Sequence, residues 1–312
     1  MGNWATLLLV VYCAALVIAS LLGGLLPGKL RMTHTRIQLV MSFVSGLMLG
    51  VGIYHLLPHS IVALGGPGAV DTAVWWLMIG LITMLLLLRM FHFHQHDFSS
   101  AEQDHHHHGH HLPQDCPATP DKHVDPVPAS VAHPLSWIGV TLGLSLHTVI
   151  DGLALGAAVS VEALSGNNSG GVSWFGFGIF LAILLHKPLD SMSIVTLMEN
   201  GGWSRTARNI TNLLFAIMCP LGALLFFLGI QNATTVHSYF LGVVLAFAAG
   251  AFICIALSDL LPEVHFHSHD RGKLSLVFVL GLAFAYGMGQ LEPSAAHSGY
   301  GEQQQQLVPQ TP

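Results

Sequence analysis

Eight apolar runs, each about 20 residues or longer, restrict this chain to one class of fold. They fall at about 4 to 27, 37 to 60, 72 to 91, 135 to 160, 173 to 198, 207 to 230, 238 to 262 and 274 to 291. At 1.5 Å per residue, each can cross a hydrocarbon core about 30 Å thick. No water in that core satisfies a bare N–H or C=O, so every run is read as a helix. Charged residues make up only 8% of the chain, against roughly 25% in a soluble domain. The expected fold is an all-α polytopic membrane protein with eight transmembrane helices.

The few basic residues orient it. Lys29, Arg31 and Arg36 lie between spans 1 and 2, Arg89 and Lys122 between 3 and 4, Arg205 and Arg208 between 5 and 6, and Arg271 and Lys273 between 7 and 8. The alternate loops and the termini have none, so the positive-inside rule predicts that both termini are extracytoplasmic. The first run lacks a basic n-region and is long enough to span, so it is read as a retained helix. The net charge of -6 includes no basic patch for nucleic acid. Four scattered cysteines, Cys13, Cys116, Cys219 and Cys254, define no disulfide framework or CxxC site.

His147 and Asp151 in span 4, and His186 and Asp190 in span 5, are each four residues apart. On a helix such a pair shares one face, so two neighbouring helices can offer two nitrogens and two oxygens to one point. That donor set suits a divalent ion: Zn2+, Fe2+, Mn2+ or Cd2+. A polar network gluing two helices is the plain alternative. Against it, each charge at the bilayer centre costs about 2.5 to 3.5 kcal/mol, more than helix association returns. His147 lies roughly 18 Å into its helix, near the midplane. Lys187 sits beside the cation site, either pairing with Asp151 or Asp190 when that site is empty or standing where a second ion would go; both argue against two adjacent metals. Gly143, Gly152 and Gly156 are expected to allow close helix approach, and Pro188 to free a carbonyl one turn earlier.

The chain divides into helices 1 to 3 (1–91), a cytoplasmic loop (92–134), helices 4 to 8 (135–291) and an extracytoplasmic tail (292–312). The loop carries His92, His94, His96, His105, His106, His107, His108, His110, His111, His123 and His133. Loop and tail are expected to be disordered, the loop capturing metal through its imidazoles. In span 2, Gly46 to His59 (GLMLGVGIYHLLPH) matches Gly250 to Glu263 (GAFICIALSDLLPE) in span 7 at Gly, Leu-Leu-Pro and the flanking polar positions. The two spans run in opposite directions, so helices 1–3 and 6–8 form an expected inverted repeat with helices 4 and 5 between them. His55 and His59 then sit at the outer mouth. Asp259 and Glu263 sit at the inner mouth, beside His265, His267 and His269.

Taken together, the eight spans, the histidine loop, His-Thr-Val-Ile-Asp-Gly-Leu-Ala-Leu-Gly in helix 4 and His-Lys-Pro-Leu-Asp in helix 5 resemble the ZIP family of divalent metal transporters. The resemblance implies a 3+2+3 arrangement and movement of zinc or a related ion into the cytoplasm without ATP. It also implies a central site of His147, Asp151 and Asp190 with His186 beside them, and adds Met48 in helix 2 and Asn212 in helix 6. Thr148 stands where Asn is common, and Lys187 where many members have an acidic residue and a second ion, which favours a mononuclear site. The expected partners are divalent metal ions and the bilayer, with a homodimer left open and no enzyme cofactor. The membrane is plasma, inner or organellar. Acidification should weaken binding as protons compete for the imidazoles.

Two rival readings fit less well. A cation-diffusion-facilitator exporter also pairs His with Asp, but calls for six spans and a soluble carboxyl domain. An intramembrane zinc hydrolase needs an open metal position and usually an HExxH-like base, and no such motif occurs.

Overall fold

The computed structural model describes residues 3–25, 34–91, 136–165, 176–231, 237–266 and 271–289. Among these residues there is no strand. The helices are α1 (Asn3–Leu25), α2 (His34–Val51), α3 (Leu57–Leu64), α4 (Ala69–Phe91), α5 (Ser136–Ser165), α6 (Phe177–Asn200), α7 (Arg205–Gln231), α8 (His237–Phe266) and α9 (Arg271–Gly289). A π-helical segment, Gly52–Leu56, joins α2 to α3 without a break, so α2, the segment and α3 make one span. Among the described residues, eight helical spans are long and apolar enough to cross a membrane, and the chain is a multi-pass integral membrane protein. The histidine loop with His105 to His108, His110 and His111, the tail, His267 and His269 lie outside the described residues. Asp259, Glu263 and His265 lie on α8, but their side chains are outside them.

Burial separates the lining helices from the centre. Two-thirds (67%) of the most apolar stretch of α8 is buried, against 17% for that of α4. Val10, Trp75, Leu224 and Leu276 point outward, where lipid tails as apolar as they are cover them. The turns are short and glycine-built. Gly65, Gly66 and Gly68, at φ of 58°, 75° and 88°, carry the chain from α3 to α4, and Gly202, at 74°, carries it from α6 to α7; only glycine enters this left-handed region without strain.

The helices pack in pairs: α2 on α9, α4 on α8, α5 on α7 and α1 on α6. Each pair crosses backbone to backbone where a glycine removes the side chain. Gly46 and Gly281 face the carbonyls of Phe278 and Phe43; Gly80 and Gly250 face those of Phe247 and Leu77; Gly152 and Gly222 face those of Cys219 and Val149; Gly23 lies on the backbone of Pro188. Exchanging spans 1, 2 and 3 with 6, 7 and 8, and span 4 with 5, leaves this set of neighbours unchanged: α2–α9 becomes α8–α4, and α5–α7 becomes α6–α1. The contact residues follow the exchange, since Gly46 and Gly250 head the two matching sequence segments. Val149 and Pro188 likewise each stand two residues beyond their histidine.

Candidate metal centre

Helices α5 and α6 bring the two His-x-x-x-Asp pairs together from opposite directions. His147 Nε2 lies 3.4 Å from Asp151 Oδ2, and His186 Nε2 lies 3.3 Å from the same oxygen. The two rings are 5.5 Å apart at an interplanar angle of 31°. The donor atoms of His147, Asp151 and His186 all fall within 4.8 Å of one another. Asp190 Oδ2 is 3.9 Å from His186 Nε2. Metal bonds of roughly 2.0–2.1 Å at the tetrahedral angle place neighbouring ligand atoms about 3.3–3.4 Å apart, which is the spacing of both imidazoles from Asp151.

Hydrogen bonds orient part of this cluster and leave the rest without a partner. His186 Nδ1 donates to the Ala182 carbonyl at 2.7 Å, and its Nε2 lies 3.3 Å from Asp151 Oδ2. A metal-binding histidine is commonly held in this way, by a backbone carbonyl on its other nitrogen. Neither nitrogen of His147 makes a hydrogen bond, and Asp151 Oδ1 and Asp190 Oδ2 also lack one, although His147 and Asp151 are buried. Buried polar atoms are nearly always partnered, and unpartnered donor atoms in one buried cluster could hold a metal ion.

Lys187 enters from α6. Its Nζ lies 3.1 Å from Asp151 Oδ2 and 3.8 Å from Asp190 Oδ2, and it donates to Thr148 Oγ1 at 2.7 Å. Thr148 in turn donates to the Leu144 carbonyl at 2.7 Å, and the Phe215 ring lies beneath the ammonium at 5.2 Å. Pairing with both carboxylates is one of the two placements expected from the sequence. The part of α6 just beyond Pro188 is clamped from α1, where Ser20 Oγ and Ser191 Oγ lie 2.7 Å apart. Ser191 also donates to the Lys187 carbonyl at 3.1 Å.

The ZIP zinc transporter family model matches residues 6–289. The chain belongs to that family. ZIP proteins are transporters and not enzymes. Zinc transporter ZIP9-B of Xenopus laevis is 34% identical over 157 residues, covering 47% of this chain and 48% of its own. ZIP9 of Micropogonias undulatus is 34% identical over 176 residues, with 51% of each chain covered. Zinc transporter 3 of Arabidopsis thaliana is 24% identical over 278 residues, covering 88% of this chain and 77% of its own. The chain thus spans about half the length of the two ZIP9 relatives.

Four further sequence candidates lie among the described residues with contacts of their own. Met48 is fully buried in the apolar core on α2. Asn212 donates from Nδ2 to the Leu21 carbonyl at 3.3 Å and packs on Gly24, which ties α7 to α1. His55, in the π-helical segment, donates from Nε2 to the Ala285 carbonyl at 2.8 Å, and His59 is buried on α3. Sequence reasoning missed Phe215 and Ser20, as well as Phe252, whose ring meets His186 edge-on at 6.5 Å.

Proposed function

We propose that this chain is a secondary transporter that carries a divalent metal ion, zinc foremost, into the cytoplasm through a mid-membrane site of His147, Asp151, His186 and Asp190. The observation that carries the reading is the convergence of His147, Asp151 and His186 donor atoms within 4.8 Å, buried inside two membrane-spanning helices. The names of these relatives, all zinc transporters, support it. The cytoplasmic direction rests on the basic residues of alternate loops and on the family.

The chemistry follows from the donors. An ion gives up water for two neutral imidazoles and a carboxylate whose charge is undiminished by solvent, and the partly exposed Asp190 offers a next ligand on one side. Mixed nitrogen and oxygen donors suit zinc and also Fe2+, Mn2+ and Cd2+, so ion competition sets the preference. Entry past His55 and His59, exit past Asp259 and Glu263, and capture by the histidine loop complete the proposed route. With the exchange symmetry of the neighbours in support, we take helices 1–3 and 6–8 as inverted repeats that rock about α5 and α6.

The test is zinc uptake into proteoliposomes by the purified chain, with a panel of competing ions. Asp151→Ala is expected to abolish uptake, and deletion of residues 96–125 to leave most of it. The opposite pattern would refute the site.

A further inference from the structure

We propose that Lys187 is a tethered counter-ion: it takes the cargo's place at Asp151 when the protein is empty, and so lets the unloaded transporter turn from one face of the membrane to the other. The inference rests on the transport reading above and adds a role for one residue.

The geometry sets ammonium and cargo in competition for one atom. Lys187 Nζ lies 3.1 Å from Asp151 Oδ2, the same oxygen that both imidazoles face at 3.4 and 3.3 Å. An incoming ion that takes this oxygen must dislodge the ammonium, and the structure holds a second mooring for it. Thr148 spends its only proton on the Leu144 carbonyl, so its oxygen can only accept, and it accepts from Nζ at 2.7 Å. The face of Phe215 lies 5.2 Å away, a cation–π partner that needs no charge. Asp190 Oδ2 stands 3.8 Å off. A flexible four-carbon stem allows the small shift between these partners.

Charge counting shows which step the lysine serves. With neutral imidazoles, Asp151, Asp190 and Lys187 leave the empty centre at -1, and a divalent cargo brings it to +1. Without the lysine the same states would carry -2 and 0. The loaded protein would then move freely, whereas the empty one would have to carry two uncompensated carboxylates through a low-dielectric core, which is strongly unfavourable. A transporter must return empty to achieve net uptake, but not to exchange one ion for another. Lys187 therefore bears on net flux and spares exchange. A lysine that merely glued α5 to α6 would affect both alike.

The experiment compares uptake of radioactive zinc into zinc-free proteoliposomes with uptake into vesicles preloaded with unlabelled zinc, for the full-length wild type and Lys187→Met, alongside zinc binding by the purified proteins. We expect Lys187→Met to lose about tenfold or more of net uptake, as when one partner of a buried ion pair is removed. Preloading should recover most of that loss, and the variant should bind zinc more tightly than the wild type. Lys187→Arg, which keeps the charge, should recover net uptake. The proposal is overturned if net uptake and exchange fall together, if net uptake is unchanged, or if the variant binds zinc more weakly. A wild type that takes up zinc under neither condition would refute the transport reading itself, and this inference with it.

Discussion

Substituting Gly152 by alanine tests whether the backbone crossing of α5 and α7 positions the metal centre. A Cβ at Gly152 would stand 2.8 Å from Ala223 N and 2.9 Å from Gly222 Cα, and closer still to the Cys219 carbonyl, where ordinary contact begins at 3.4 Å. Every one of these neighbours is backbone, so no side chain can swing aside. Relieving the Ala223 contact alone parts the helices by about 0.6 Å (3.4 less 2.8). A displacement of that size at the adjacent Asp151 is enough to take its Oδ2 out of the 3.3–3.4 Å spacing from the two imidazoles that one tetrahedral ion requires. Overpacking of this kind costs about 1–3 kcal/mol of stability. A carboxylate moved off the spacing that one ion requires is a poorer ligand, so zinc affinity should fall about tenfold. Thermal unfolding in detergent and zinc titration of the purified protein measure the two effects. Gly272→Ala and Gly287→Ala, where nothing lies within 4 Å of the added atom, serve as controls. If Gly152→Ala matched these controls in both assays, the crossing would not be what holds Asp151 in place.

Two further outcomes follow from the same geometry. Zinc affinity should fall as the pH is lowered from about 7.5 to about 5.5, because protons compete with the ion for the His186 nitrogen; titration across that range checks it, and a flat profile would remove His186 from the ligand set. Ser20→Ala and Ser191→Ala should each destabilise the protein by about 1 kcal/mol, and the double variant by less than their sum, since each single change leaves a buried hydroxyl without its 2.7 Å partner.

The spans were legible because apolar length is a one-dimensional property, although their ends were not. The helix of span 4 continues to Ser165 and that of span 7 to Phe266, past the limits of about 160 and 262 expected from hydropathy, because a helix does not stop where the lipid core does. His147 with Asp151, and His186 with Asp190, were legible because four residues make one helical turn. Their meeting across two helices was an inference from chemistry. What brings them together, Gly152 on Gly222 and Gly23 on Pro188, belongs to pairs of helices and leaves no periodic trace in either. Phe215 beneath Lys187 and Ser20 against Ser191 escaped for the same reason: spacing within one helix does not tell which residue faces it from another. Asn212 shows the converse, since its polar side chain in an apolar run serves the α1–α7 junction.

The π-helical segment Gly52–Leu56 sets the second span apart from the seventh, whose matching stretch is plain α-helix. A π turn holds one surplus residue. Migration of that surplus along the span would rotate every intervening side chain by about 100° while both ends of the span stayed anchored. The His55 bond to Ala285 thus pins the angular position of this segment against α9.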